Sequence, residues 1–205
     1  MSTFYRLFCH MNILNSIALF DHASVLYFAQ NRSLNETGFF IGFSELASLT
    51  TVIGFTLVIV TIFLYLKYYK EATGLLLSVA GSAAVDFAVK HFVARPRPMD
   101  TFIPAYIESG YSFPSGHTTS AVALYGFLIF LLWKSTATTN QKVLGTFVGG
   151  IVILGVGFSR VLLGVHYPSD VFAGAALGCL GVALGAYFSR NALAFNSGTA
   201  NNDTN

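Results

Sequence analysis

The chain has 205 residues, 54% of them hydrophobic and only 10% charged, with a mean hydropathy of +0.64. A soluble domain carries about a quarter of its residues as charges. This composition therefore excludes an ordinary water-soluble fold, a basic nucleic-acid-binding module, a disordered chain and a disulfide-knit secreted miniprotein. Eleven Lys and Arg against nine Asp and Glu leave a net charge of +2, too little to attract a polyanion by bulk electrostatics, so any bound anion must be met locally. Cys9 and Cys179 lie far apart in sequence and read as free thiols.

In chain order, residues 1–38 form an N-terminal segment. Ile13, Ile17, Phe20 and Tyr27 fall on one helical face there, but Asp21 and His22 interrupt it. The segment reads as an interfacial amphipathic helix or a weak first span. The cost of a charge at mid-bilayer favours the first reading. Arg6 and a weakly apolar stretch without a small-residue cleavage site do not make a signal peptide. A membrane domain is expected over 39–190. A spanning helix needs about 20 apolar residues, and five blocks meet that need. Leu46–Leu66 is 21 residues without a charge, Ala72–Val89 is 18 with only Asp86 inside, and Ser115–Trp133 is 19 with His117 near its start. Val143–Ser159 adds 17 uncharged residues and Val171–Ser189 adds 19. The expected fold class is an all-α polytopic membrane bundle with five spans and a possible sixth at the N-terminal end. Residues 191–205, Asn-, Thr-, Ser- and Gly-rich without apolar periodicity, read as a disordered polar tail. The pairs Gly145/Gly149, Gly174/Gly178 and Gly181/Gly185, each four apart, are expected to let helix backbones approach closely.

Short polar turns join most spans, but 90–114 is a long loop rich in Pro, Arg and aromatics, and long loops in compact proteins are usually functional or disordered. Three polar clusters stand out: Lys90 to Pro98 closing the second span, Pro114 to His117 opening the third, and Ser159 to Asp170 joining the fourth and fifth. Because successive spans alternate direction, all three can meet at one membrane face. Lys90, Arg97 and Arg160 would then surround one point with positive charge, and the Arg fork matches phosphate oxygens. Ser115 and Gly116, at the start of a helix, add N–H groups and the positive end of its dipole. Pro168 suits a first helical turn, placing His166 just outside that helix and Asp170 within it. An Asp beside a His fixes its tautomer and stabilises the imidazolium. The chemistry offers two tasks for two histidines. His166, backed by Asp170, attacks phosphorus, and His117 protonates the departing oxygen. The scheme requires no cofactor and no metal; the basic residues of the cluster would repel a divalent cation.

These residues and spacings resemble the type 2 phosphatidic acid phosphatase superfamily, whose signature reads K-x6-R-P, then P-S-G-H, then S-R-x5-H-x3-D. Lys90, Arg97 and Pro98, then Pro114–His117, then Ser159, Arg160, His166 and Asp170 match every position. The resemblance covers about Leu46–Arg190. It implies a helical bundle, metal-independent phosphoryl chemistry and a His166 nucleophile. It is nearest the small bacterial integral-membrane lipid phosphatases that act on phosphatidic acid, phosphatidylglycerophosphate or undecaprenyl diphosphate. The implied partners are a membrane lipid phosphate and the bilayer, not nucleic acid. The alternatives are a phosphotransferase using the same site, or a non-enzymatic lipid-binding or transport protein on the same fold.

Other polar residues have plainer readings. Arg95 is either an interfacial anchor or a second contact to a diphosphate or headgroup. Asp86 stands one turn before Lys90 and either pairs with it or is a polar residue paired elsewhere inside the bundle, with no catalytic role. His91 should point away from the site, His10 and His22 belong to the surface or interface, and Tyr106, Tyr111 and Phe113 line the substrate mouth or form an aromatic belt. Away from the clusters, Lys67, Lys70, Lys134, Lys142 and Arg190 outnumber Glu71 and Asp203. That positive-inside pattern puts the site on the extracytoplasmic face of the cell (inner) membrane.

Overall fold

The structure, a computed structural model, describes residues 3–98 and 108–191, with 3–14 and 191 described by their backbone alone. The expected tail beyond Asn191, and Tyr106, lie outside the described residues. The elements are α1 (Thr3–Asn31), α2 (Leu34–Glu45), α3 (Leu49–Tyr65), α4 (Tyr69–Val93), α5 (Gly116–Ala121), a π-helical turn (Val122–Gly126), α6 (Phe127–Lys134), α7 (Thr139–Leu162) and α8 (Pro168–Asn191). Among the described residues, five stretches are long and apolar enough to cross a membrane: Leu34–Tyr65, Tyr69–Val93, Gly116–Lys134, Thr139–Leu162 and Pro168–Arg190.

The first of these starts earlier than the charge-free run suggested. Ser33 caps α2 reciprocally with Glu36: the Ser33 hydroxyl accepts from the Glu36 N–H, and the Glu36 carboxylate accepts from the Ser33 N–H at 2.8 Å. Glu36 and Glu45 delimit α2 from within, so a search for uncharged residues misses it, and the expected boundary at 38/39 falls inside a continuous helix. Ser48 then caps α3. The same reciprocal cap, Thr138 with Gln141, opens α7, and Pro168 begins α8, where its missing N–H costs nothing.

Helices α4 and α8 form the tightest pair, and small residues explain it. A Cβ added to Gly74 would lie 2.8 Å from the Gly185 carbonyl oxygen, and one on Gly181 would lie 2.7 Å from that of Ser78. The two backbones therefore pack where a side chain would part them. Ser78, fully buried on α4, donates to the Ala123 carbonyl at 2.8 Å, giving a partner to the π turn that interrupts the third span. Leu75, Leu124, Phe127 and Val156 fill the core around it.

Helix α1 is not among the five spans. It lies against the end of the bundle that carries the α4–α5 and α7–α8 connections. Ile17 and Ala18 stand beside Val93 and Phe113, Val25 packs with Tyr167 and Val161, and Arg32 donates to the Leu162 carbonyl at 2.8 Å.

Candidate active site

The chain leaves α4 through Ala94, whose left-handed backbone (φ 49°) stops the helix. In the following Arg95-Pro96-Arg97-Pro98 each proline holds the residue before it extended, which keeps the two arginines out of helical register. Arg97 turns inward, 8% exposed, and donates to the carbonyls of Gly110 at 3.1 Å, Val165 at 2.9 Å and Ser109 at 3.3 Å. Arg160, in the last turn of α7, is fully buried; its fork reaches Ser44 Oγ and the Glu108 carboxylate. Its own carbonyl accepts the N–H groups of Val165 and His166, both at 3.2 Å. That closes the α7–α8 connection into a tight buried turn, with Gly164 at φ 74° supplying the positive-φ step.

His166, 1% exposed, has two different sides. Its Nδ1 faces Asp170 Oδ2 at 3.5 Å and Ser112 Oγ at 3.4 Å. Its Nε2 lies 3.1 Å from Arg97 Nη1. A guanidinium only donates, so Nε2 holds a lone pair and the proton sits on Nδ1, toward Asp170. Burial first, and then the Arg160 and Arg97 charges, push the imidazole down to about 4 against the pull of Asp170. The ring is neutral at ordinary pH, with its free nitrogen aimed into the basic pocket.

Asp170 is held on every side. Its Oδ2 accepts from the Ser112 hydroxyl and from the Tyr167 N–H at 2.9 Å, and its Oδ1 accepts from Arg95 at 2.6 Å. Lys90 donates to the Pro114 carbonyl at 2.9 Å and stands 3.7 Å from Asp86, the i, i+4 pair that is one of the two readings of Asp86. Thr119 gives Asp86 a further hydrogen bond at 3.1 Å. A Cβ on Gly116 would lie 3.3 Å from Asp86 and 3.7 Å from Lys90, so glycine there lets α5 close onto the lysine.

The three sequence clusters thus meet, with Lys90, Arg97, His117, Arg160, His166 and Asp170 at one end of the bundle. Two expectations change. Ser115 is fully buried, its hydroxyl accepting from Thr118 at 3.0 Å and its N–H donating to the Asp170 carbonyl at 3.0 Å. It ties α5 to α8 rather than offering that N–H to an anion. Arg95 does not wait for a headgroup: it bridges two carboxylates of the chain, Asp170 and Asp21 at 2.8 Å. His91 is exposed on α4, as expected, with Nδ1 near the Phe87 carbonyl at 2.8 Å. His22 is exposed, its ring edge-on to Tyr167, and Cys179 is a free, exposed thiol.

The sequence reading missed Glu108. Its carboxylate contacts Arg160 and lies 3.1 Å from Arg97, 3.8 Å from His117 Nδ1 and 4.0 Å from His166 Nε2. Burial alone would raise its pKa, but the Arg160, His117 and Arg97 charges outweigh it and hold the group at about 2. The available signal was one of only two acidic residues between Lys90 and Ser115. Ser112, also missed, carries no sequence signature.

The family model described as the PAP2 superfamily matches residues 71–193. Phosphatidylglycerophosphatase B of Bacillus subtilis (strain 168) is 37% identical over 116 residues, 55% of this chain and 56% of that protein. Decaprenylphosphoryl-5-phosphoribose phosphatase of Mycobacterium tuberculosis (strain CDC 1551 / Oshkosh) is 37% identical over 97 residues, 46% of this chain and 48% of that protein. The chain thus spans about half the length of the curated relatives it matches. The crystal structure of the first transmembrane PAP2 type phosphatidylglycerolphosphate phosphatase from Bacillus subtilis superposes with a TM-score of 0.77 at 28% identity, covering 92% of this chain and 96% of that one.

Proposed function

This chain belongs to the PAP2 superfamily, and from that premise we propose that it is a membrane lipid phosphatase, releasing phosphate from a lipid phosphate monoester or diphosphate through a phosphohistidine. The observation that carries this reading is Glu108. Its two carboxylate oxygens rest against Arg97 and Arg160 beside His166 Nε2, where a phosphate's oxygens would bring phosphorus within reach of that nitrogen.

In the first step the Nε2 lone pair forms the N–P bond while the P–O bond to the lipid breaks. Protonated His117 donates to the departing lipid oxygen, and the lipid leaves as its alcohol or, from a diphosphate, as its monophosphate. Nδ1–H stays directed at Asp170, which stabilises the cationic ring. In the second step water attacks phosphorus, His117 takes its proton, the N–P bond breaks and inorganic phosphate leaves. Lys90, Arg97, Arg160 and the Gly116 amide hold the charge on the equatorial oxygens in both steps. With five membrane-length helices, the lipid's hydrocarbon stays in the bilayer while its phosphate enters the basic pocket. The Lys and Arg excess at the far ends supports an extracytoplasmic site in the cell membrane, and cysteine labelling reads it directly: Thr101→Cys reacts from outside and Thr138→Cys does not.

The test is phosphate release by the detergent-solubilised full chain from phosphatidylglycerophosphate, phosphatidic acid and undecaprenyl diphosphate side by side. Release from at least one, unaffected by EDTA and reduced about a thousandfold or more by His166→Ala, is expected. Equal release by wild type and variant refutes it in favour of lipid binding without catalysis.

A further inference from the structure

Asp21 lies on α1, fifty residues before the matched family region begins. It is fully buried in a chain with few charges, and an ionised group is buried only where partners replace its water. The partners all lead to the site. Asp21 Oδ1 accepts the Ser169 N–H at 3.0 Å, and Oδ2 accepts the Ser169 hydroxyl at 2.5 Å and Arg95 Nη2 at 2.8 Å. Arg95 Nη1 reaches Ser169 Oγ at 2.7 Å and Asp170 Oδ1 at 2.6 Å, and the guanidinium lies 4.1 Å over the Tyr167 ring. Asp170 Oδ2 is left to Ser112, the Tyr167 N–H and His166.

We propose that Asp21 and Arg95 are positioning residues for the His166–Asp170 pair, making α1 part of the catalytic apparatus: Asp21 orients Arg95 and offsets its charge, and Arg95 fixes which oxygen of Asp170 meets the imidazole. This rests on the reading of His166 as nucleophile. The chain of alternating charges Asp21, Arg95, Asp170, His166 gives the two outer residues opposite effects on the ring. Without Arg95, Asp170 acts on His166 uncompensated and the imidazolium is favoured. Without Asp21, the uncompensated Arg95 neutralises Asp170 more fully and the imidazolium is disfavoured. The other groups facing the ring are unchanged in both cases: Arg97 and Glu108 from the α4–α5 segment, His117 from α5 and Arg160 from α7.

The test measures the titration of His166 by NMR of histidine-labelled full chain in detergent, its resonance assigned with His166→Ala, alongside the pH dependence of phosphate release. Arg95→Gln is expected to raise the midpoint by about one pH unit and Asp21→Asn to lower it by about as much. Such a tenfold change in protonation is what a unit charge about 10 Å away produces at an effective dielectric of about 20. Both variants should cut kcat about tenfold with KM within about twofold, and Asp21→Glu, which keeps the charge, should retain the wild-type midpoint. The double variant should restore the midpoint without restoring kcat. Midpoints that stay fixed, or move the same way in both single variants, overturn the proposal and leave α1 a packing element. Should the single variants fail to fold, Ser169→Ala, which removes only the shared hydroxyl, is expected to lower kcat with unchanged KM, and wild-type kcat there counts against the relay. Because the NMR midpoint requires no turnover, opposite shifts in a chain that releases no phosphate would sink the phosphatase reading and keep the relay.

Discussion

In the proposed reading Glu108 holds the place of the substrate phosphate, so replacing it with its uncharged isostere Gln should tighten anion binding. A carboxyl held at about 2 rather than 4.5 is favoured as its anion by about 3 kcal/mol, the attraction of its cationic neighbours net of the cost of burial, at 1.36 kcal/mol per pH unit. The Glu108 side chain is 21% exposed, so on displacement it regains water, and about half of that energy remains as the penalty an entering phosphate meets. About 1.5 kcal/mol is a tenfold change in affinity. The assay is inhibition of phosphate release by inorganic phosphate and by orthovanadate, whose trigonal bipyramidal adduct mimics the transferring group. Glu108→Gln should lower both inhibition constants about tenfold. The group is ionised everywhere above pH 4.5, and its favourable contribution fades only as pH falls toward 2, so the difference should hold across pH 5 to 8. Unchanged or weaker inhibition in the variant would show that Glu108 does not compete with the substrate phosphate.

Four further outcomes follow from the site and the packing. With His166 held at about 4, kcat/KM should fall on its acid side near pH 4, not near the ordinary histidine value of 6.5; a limb at 6 or above contradicts the geometry. The same depression makes the unfolded chain take up this proton first, so stability should drop as pH falls from 6.5 to 4, and thermal melts of His166→Ala should show a shallower drop. Ser112→Ala removes the hydroxyl that donates to Asp170 Oδ2 and should cost about 1–2 kcal/mol, about a five- to thirtyfold loss of kcat with KM nearly constant. Gly185→Ala places a methyl against the Gly74 carbonyl, whereas Gly150 has nothing within 4 Å. The first should lose about 1–3 kcal/mol and melt several degrees lower, the second should melt like wild type, and equal melting temperatures would contradict the close α4–α8 approach.

What the sequence disclosed depended on how far apart cause and effect lie along the chain. The five spans were legible because bilayer thickness imposes a run length, and the convergence of Lys90, Arg97, His117, Arg160, His166 and Asp170 followed from counting crossings. Helix α2 escaped because its capping glutamate breaks the uncharged run while stabilising the helix. Glu108 and Asp21 escaped for a different reason. Each acts through partners 52 and 74 residues away, in no fixed spacing. Asp21 in particular looked like an obstacle to burial until Arg95 and Ser169 supplied its partners.

The π turn at Val122–Gly126 puts the two halves of the third span out of phase. An α-helix repeats its faces every 3.6 residues, but the wider π turn, with its i to i+5 bonds, resets that count midway. The half that carries Gly116, His117 and Thr119 toward the site is thereby clocked separately from the half that sends Phe127 into the core. A cysteine scan along Gly116–Lys134 should therefore show protected positions in helical rhythm up to Ala121 and the same rhythm resuming one residue late from Phe127. Deleting one residue within the turn would bring the halves back into step, and would do so by rotating one of them away from its partners.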